Sequence, residues 1–403
     1  MTNISDIPSA RPEDVGMDGD RLSRINERMA AHIDQGNIQG AVTAVARGGR
    51  VVHFEAHGEK DTRDNTSMPE DALFRMASST KPVLGVATMM MIEEGLIRPS
   101  NPVTRFIPEL KDMQVAVLKE PDDKDISPNF VQPGQEAPAH RLVPANQEIT
   151  IHHLLTHTSG LMSSGLGAAH TANTKERLAA DATLASYIPR LGDVALDFQP
   201  GSRWRYSPGT GLDVVARIIE IVSGMDFDTF VRARIFEPLR MNDTHFNVPD
   251  EKSDRRVAIK GREKLFEGRG PTKYFSASGG LTSTCRDFLH FEQMFAGGGS
   301  LFGERLLSPR TIAMMTANQT GDLFKGLYGA QQGMGFGYTV SVVLDPVAAD
   351  SRRGKGAFGW GGAFGTQSWT DPGDDVTAVL MLQQPHQGAQ YDFGNAVQQA
   401  IIE

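Results

Sequence analysis

The chain has a single cysteine among its 403 residues, Cys285, so no intrachain disulfide can form. A lone buried-type thiol of this kind reads as a small core residue. A reducing cytoplasm is the simplest compartment for it, although a precursor trimmed of its leader would read the same way. The N-terminal Met1-Thr2-Asn3-Ile4-Ser5-Asp6-Ile7-Pro8 is polar and has no charged-then-apolar signal pattern. The longest apolar run, Val83 to Ile92, falls far short of the roughly 20 residues that span a bilayer. Basic clusters are missing too. With a formal charge of -9 and a pI of about 5.7, neither nucleic acid nor an anionic membrane is expected as a partner. Two catalytic markers are also absent. No serine lies in G-x-S-x-G, which removes the nucleophile elbow of α/β-hydrolases. The histidines of His152-His153-Leu154-Leu155-Thr156-His157 include an i, i+4 pair without the glutamate of H-E-x-x-H, so they read as loop-fixing residues and not as metal ligands.

What is present suits a globular chain of one large or two ordinary domains, with 39% hydrophobic and 22% charged residues. Helical spacing of apolar residues predicts a helix over Leu22 to Asp34. The runs Ala41–Ala46 and Val51–Ala56 flank Arg47-Gly48-Gly49-Arg50 and predict a β-hairpin. Gly337–Val343, Gly365–Asp371 and Val376–Leu382 read as strands, with Pro372-Gly373-Asp374-Asp375 as a turn and Asp392 to Ile402 as a closing helix. Between these ends, Val83–Gly95 is apolar nearly all round, as a buried helix is, and Gly95 stands where a glycine ends one. Ile151–Leu155, Leu212–Val222 and Phe227–Ile235 carry helical patterns. Val117–Asn146, rich in Pro, Asp and Gln, reads as a long excursion with a short hairpin. Strands at both ends with helices between predict an α/β (α+β) chain: residues 1–75 and 270–403 as a discontinuous domain with an antiparallel sheet, residues 76–269 as an inserted mainly helical domain, and the active site at their junction.

The chemistry centres on Phe74-Arg75-Met76-Ala77-Ser78-Ser79-Thr80-Lys81-Pro82. Ser78 and Lys81 stand three apart at the head of the buried helix, so their side chains can share one face. A serine hydroxyl is a weak nucleophile because its proton must leave as it attacks, and a partly desolvated amine beside it can take that proton. Ser78 also suits a helix N-cap, a position compatible with a backbone N–H as oxyanion donor. Gln199-Pro200-Gly201-Ser202-Arg203-Trp204-Arg205-Tyr206-Ser207-Pro208-Gly209 brings a tyrosine in a Pro/Gly-rich loop; near Lys81 its hydroxyl would share a proton with the amine. Ala357-Phe358-Gly359-Trp360-Gly361-Gly362-Ala363-Phe364-Gly365 is a glycine-rich edge that permits close backbone approach.

Taken together, these elements resemble the serine β-lactamase and penicillin-binding superfamily, and more narrowly the class C β-lactamase-like esterases known as family VIII carboxylesterases. Leu73–Pro82 matches the opening motif, and Leu154-Leu155-Thr156-His157-Thr158-Ser159-Gly160-Leu161 a second phrase. Phe198–Gly201 with Tyr206-Ser207 matches the tyrosine motif, and Ser278-Gly279-Gly280-Leu281-Thr282-Ser283-Thr284 a further segment. The resemblance runs from about residue 10 to the final helix. It implies a β-lactamase-like, transpeptidase-like fold, Ser78 as acyl-accepting nucleophile, and Lys81 with Tyr206 as the base system that activates first the serine and then water. Trp360-Gly361-Gly362 occupies the place of the family's lysine-threonine-glycine triplet, lining the substrate site. The N–H groups of Ser78 and Ala363 would form the oxyanion hole.

Two departures from the family bear on substrate. Position 208 is proline where β-lactamases carry the asparagine of Tyr-x-Asn, and Trp360 replaces the cationic lysine. Both favour a neutral carboxylic ester over an anionic β-lactam while leaving room for slow β-lactam turnover. The expected function is therefore ester hydrolysis through an acyl-enzyme on Ser78, with a small-molecule ester as partner and no metal or organic cofactor. The alternatives are a β-lactamase or D-alanyl carboxypeptidase, an acyltransferase to an alcohol, and a non-enzymatic penicillin-binding-like sensor. Acyl chain length, alcohol and oligomeric state are not set by the sequence.

Overall fold

The computed structural model describes residues 7–63, 65–119, 138–168, 181–259, 261–262, 270–324, 326–327 and 331–403. Its centre is an eight-stranded antiparallel sheet drawn from both ends of the chain. The strands are β1 (Gly40–Arg47), β2 (Arg50–Asp61), β3 (Thr66–Ser67), β4 (Met334–Phe336), β5 (Ser341–Val343), β6 (Phe358–Gly361), β7 (Gln367–Asp371) and β8 (Val376–Met381), in the order β4-β5-β6-β7-β8-β1-β2-β3. The N-terminal hairpin thus joins the C-terminal strands through β1 and β8, with Val42 opposite Met381 and Val45 opposite Ala378.

Both faces of this sheet are covered, and the alternation of side chains assigns each residue to one core. Ala41, Val45, Ala378 and Leu380 pack with Trp369 against α1 (Gly19–Asp34) and the C-terminal helix, Gln387–Ala400. In α1, Leu22, Ile25 and Met29 recur at helical spacing and are buried, while the side chain of Asp18 caps the helix by accepting from the Arg21 N–H at 2.9 Å. Val42, Ala44, Val379 and Met381 face the opposite core, which includes Cys285, Phe288 and Phe291 from the helix Cys285–Ala296. Because that thiol is fully buried, its pKa is pushed up, so it stays protonated.

Residues 81–93 form α2, in which every side chain from Lys81 to Met91 is buried, as the apolar run predicts. Gly95 follows it with φ +74°. The patterns at 151–155, 212–222 and 227–235 also appear as helix, at Ile151–Leu155, Asp213–Ser223 and Phe227–Val231; the last continues as a π-turn over Arg232–Phe236. Gln114–Leu118 pairs with His140–Pro144, which supplies the hairpin expected in the excursion; residues 120–137 lie outside the described residues. Among the described residues no helix is long and apolar enough to cross a membrane.

One strand expectation is corrected. Gly337–Val343 is not continuous: β4 ends at Phe336, β5 begins at Ser341, and a tight turn closed by Gly337 N–H to the Val340 carbonyl (2.8 Å) joins them. Thr339 takes φ +68° there. The turn's donors go to helices instead of a neighbouring strand, Tyr338 N–H to the Met315 carbonyl at 2.8 Å and Thr339 N–H to the Leu155 carbonyl at 3.1 Å. These contacts dock the hairpin on α2, where a Cβ on Gly85 would come within 2.4 Å of the Thr339 hydroxyl.

Burial holds several histidines neutral, which makes stability depend on acid. Burial lowers the pKa of His53 to about 3, helped by the charge of His57, and that of His57 to about 4. Both rings share the Thr43 hydroxyl, at 2.8 and 3.0 Å. His153 and His245 are likewise lowered to about 4, chiefly by burial. Unfolded histidines take up protons near pH 6.5, and these folded ones do not until far lower, so their stability contribution is full above pH 6.5 and is lost as pH falls toward 4. Asp287 and Glu292 oppose this, since burial raises each to about 7 and favours the folded state on acidification over the same window. Of the histidines and carboxyls shifted furthest, five are histidines, fully buried His157 included, and two are these carboxyls. The melting temperature is expected to fall between pH 6.5 and 4; a differential scanning fluorimetry series showing a rise would contradict this.

Candidate active site

Three chain segments far apart in sequence meet at the head of α2. Ser78 lies in a 3-10 turn, Ala77–Thr80, that runs directly into α2 at Lys81. Ser78 is therefore inside the turn and is not the helix N-cap, a correction to the capping expectation. Ala77 immediately before it has φ +45°, a left-handed conformation that costs an alanine of order 1–3 kcal/mol. The turn is fixed from several sides. Met76 N–H bonds the Leu281 carbonyl (2.9 Å), and Phe74–Arg75 pairs with Thr282–Ser283. The Gln383 amide grips both polar groups of the Arg75 backbone at 3.1 Å. The Thr366 hydroxyl donates to the Met76 carbonyl (3.2 Å) and meets the Ser79 hydroxyl (2.9 Å).

Lys81 is fully buried. Its Nζ lies 3.1 Å from Ser78 Oγ, 3.1 Å from the Pro208 carbonyl and 2.6 Å from the Ser278 carbonyl. A carbonyl only accepts, so two N–H groups are committed to those oxygens, and the remaining position of the nitrogen faces the serine hydroxyl. That position carries a third N–H in the ammonium and the lone pair in the neutral amine. Sequence reasoning missed both carbonyl contacts, because a main-chain acceptor leaves no mark in residue type. Proline at 208 removes a side-chain amide and still supplies this oxygen. The Ser278 carbonyl is itself braced. Buried Asp213 accepts from Ser278 N–H (2.8 Å), the Tyr274 hydroxyl (2.8 Å) and the Ser276 hydroxyl (3.1 Å). Burial raises the pKa of Asp213, and these donors pull the other way. Burial and the Asp213 charge push the Tyr274 phenol up, so it remains a donor.

Tyr206 reaches the same place, with a geometry unlike the expected hydroxyl–amine bond. Lys81 Nζ sits over the ring face, 5.0 Å from its centroid. The buried phenolic oxygen has no hydrogen-bond partner among the described residues. Around it stands an aromatic wall: Tyr206 and Trp360 are 5.5 Å apart, Trp360 and Phe336 5.3 Å, Trp204 and Phe336 5.5 Å, and Trp204 and Phe324 4.7 Å. Phe324 also lines a cleft of about 470 Å³ with Asp322, Gln331, Met334 and Leu344.

The glycine-rich edge lies alongside. Trp360 and Gly361 close β6, and Gly362 N–H bonds the Thr366 carbonyl at 2.8 Å in the turn to β7. Ala363 is exposed in that turn, and among the described residues its N–H donates no hydrogen bond. Gly362 is pressed on the serine turn: a Cβ there would stand 2.2 Å from the Met76 carbonyl oxygen and 2.3 Å from the Thr366 hydroxyl. Gly362→Ala must therefore separate the hairpin from the serine turn. Its expected result is a loss of turnover of roughly 10- to 100-fold, since a displacement of about 1 Å costs that much. Steady-state kinetics on a folded variant check this, and wild-type turnover would contradict it.

The histidine run is structural in the described residues. His153 forms a reciprocal cap with Thr150, and His152 meets the Tyr338 hydroxyl at 3.2 Å. His157 binds the tyrosine loop. Among the described residues no group of His, Cys, Asp and Glu is arranged to hold a metal ion.

Comparison with known proteins gives the family and the fold. The family model described as Beta-lactamase matches residues 25–401. An uncharacterized protein of Mycobacterium tuberculosis is 32% identical over 368 residues, covering 87% of each chain. Esterase EstB of Burkholderia gladioli is 28% identical, with 100% of this chain and 99% of its own covered. Among solved structures, the hydrolase EstCE1, titled as having promiscuous acyltransferase activity, superposes with a TM-score of 0.74 at 24% identity over 95% of this chain and 99% of its own. The simvastatin synthase LovD of Aspergillus terreus does so with a TM-score of 0.74 at 19% identity, over 94% and 98%. The fold is thus the β-lactamase-like α/β fold, and the chain belongs to the beta-lactamase family.

Proposed function

We propose that the chain is a serine carboxylesterase working through an acyl-enzyme on Ser78. The observation that carries this reading is the placement of Lys81 Nζ: two carbonyls hold it, and its one remaining position is aimed at Ser78 Oγ. In the amine form its lone pair takes the hydroxyl proton as Oγ attacks the ester carbonyl carbon. The oxyanion that develops is held by the N–H groups of Ser78 and Ala363, each such donor being worth roughly 3 kcal/mol. Collapse of the tetrahedral intermediate breaks the bond to the alcohol oxygen, which leaves with a proton. The Tyr206 hydroxyl, which has no hydrogen-bond partner among the described residues, delivers that proton and then takes one from the water that deacylates the enzyme, and Lys81 returns its proton to Ser78 Oγ as the acyl group leaves.

An ester is favoured over a β-lactam because the wall of the site is aromatic and Trp360 offers no cation to a substrate carboxylate. Relatives named as an esterase and a lovastatin esterase support the same class. Transfer of the acyl group to an alcohol is the second reading, favoured by relatives named as acyltransferases, among them those of Monascus pilosus and Penicillium decumbens. The test is turnover of p-nitrophenyl esters of graded chain length beside nitrocefin, with and without an acceptor alcohol. Short-chain ester hydrolysis far exceeding nitrocefin turnover is expected. Nitrocefin turned over faster than every ester would replace the reading with a β-lactamase, and no turnover with Ser78 stoichiometrically labelled would replace it with a sensor.

A further inference from the structure

Histidine 157 carries more contacts to the tyrosine loop than loop closure requires. Its carbonyl accepts from the Arg205 N–H at 3.0 Å, and its ring Nδ1 lies 3.2 Å from the Ser207 N–H. The two donors are the residues on either side of Tyr206. The ring itself lies against the Tyr206 ring, with centroids 4.8 Å apart and planes at 60°. One residue therefore clasps the tyrosine before it, after it and on its side chain.

The local backbone is arranged for this. His157 takes φ +57°, a left-handed conformation uncommon outside glycine, which histidine, like asparagine and aspartate, adopts more readily than most residues. The short helix Ile151–Leu155 ends just before it, and Gly201 N–H returns to the Thr158 carbonyl at 2.7 Å, closing the loop on the other side. A backbone N–H can only donate, so Nδ1 is the acceptor and the ring proton resides on Nε2. Burial and the nearby charge of Lys81 hold the ring's pKa well below its ordinary value, so the acceptor stays available at neutral pH. Nε2 has no hydrogen-bond partner among the described residues, and aromatic rings surround the imidazole: Tyr206, Phe336 at 5.4 Å and Trp204 at 5.9 Å. Leaving that N–H without a partner is a cost, and an apolar residue would fill the space without it. The Nδ1 acceptor is what the histidine gives in return.

From this geometry we infer that His157 is a positioning residue for Tyr206: its Nδ1 and carbonyl fix the backbone on both sides of the tyrosine, and its ring sets the angle of the phenol over Lys81. The tyrosine needs such help because, among the described residues, its own hydroxyl has no hydrogen bond to hold it. The inference rests on the proposed role of Tyr206.

The experiment is a kinetic comparison of His157→Asn, His157→Gln and His157→Leu, each alone and with Tyr206→Phe, on a p-nitrophenyl ester. Asparagine can present its amide oxygen near the place of Nδ1, whereas glutamine reaches toward Nε2. Asn is expected to keep kcat within about 5-fold, and Gln and Leu to lower it by about 100-fold with KM changed less than about 3-fold, the size of effect that misplacement by about 1 Å produces. In the Tyr206→Phe background the same His157 changes should each cost less than about 3-fold, because residues acting as a unit are non-additive. Gln matching or exceeding Asn would overturn the inference, as would losses of equal size in both backgrounds. If the Leu variant does not fold, the Asn and Gln pair alone decides the outcome. If Tyr206→Phe alone left kcat unchanged, the role of Tyr206 would fail; if it lowered kcat while no His157 variant did, this inference alone would fail.

Discussion

Ser78→Ala is expected to lower ester turnover by at least about 10³-fold while the protein melts within a few degrees of wild type. The activity side follows from losing the atom that forms the acyl bond, which no neighbouring group replaces. The stability side follows from the contacts. Among the described residues Ser78 Oγ has one hydrogen bond, from Lys81, whose other two acceptors at Pro208 and Ser278 remain. Losing such a bond costs about 1 kcal/mol. The β-methyl of alanine keeps the 3-10 turn filled, and the ties at Met76, Arg75 and Ser79 do not involve residue 78. Steady-state kinetics and a thermal melt on the same sample check both halves. Retention of even a tenth of wild-type turnover would refute the nucleophile.

Lys81→Met should cost a similar factor in turnover, about 10³-fold, by a different route. The serine remains, and its hydroxyl loses the amine that among the described residues lies within hydrogen-bond distance of it. The effect on stability is a balance of opposing changes. Two buried carbonyls lose their donor, at about 1–3 kcal/mol each. In return a fully buried nitrogen, with its costly desolvation, is replaced by an apolar chain of similar length. The two changes are of similar size, so the melting temperature should move by only a few degrees while activity collapses. Turnover within about 10-fold of wild type would remove Lys81 from the mechanism.

Much of the fold could be read from the sequence, because local chemistry and tertiary need agree there. The Gly48-Gly49 turn, the uniformly apolar α2 and the Pro372–Asp375 turn each specify one local structure, and each appears where expected. The reading fails where the backbone answers to distant partners. Gly337–Val343 has the composition of a strand, but its amide groups are claimed by Met315 and Leu155, so it folds back as a hairpin turn. Ser78 reads as a helix cap, and the requirement to meet Lys81 places it inside a 3-10 turn instead.

The site divides in the same way. Ser78, Lys81, Tyr206 and Trp360 were found through side-chain chemistry and resemblance, and the structure draws them together. The grip on Lys81 by two carbonyls, the brace of Asp213 behind Ser278 and the clasp of His157 were not found. Each works through main-chain atoms, and any residue type has those. His157 did leave a trace, as a histidine in a motif with no metal partner, but nothing in the sequence linked it to a loop some fifty residues on.

The most direct test of the central claim is intact-protein and peptide mass spectrometry after rapid acid quench of the protein mixed with an activated aryl butyrate. The account predicts one butyryl group on the peptide carrying Ser78, lost as product is released and absent from the Ser78→Ala protein. Product release with Ser78 unmodified at every quench time, or a butyryl group on a different residue, would contradict it.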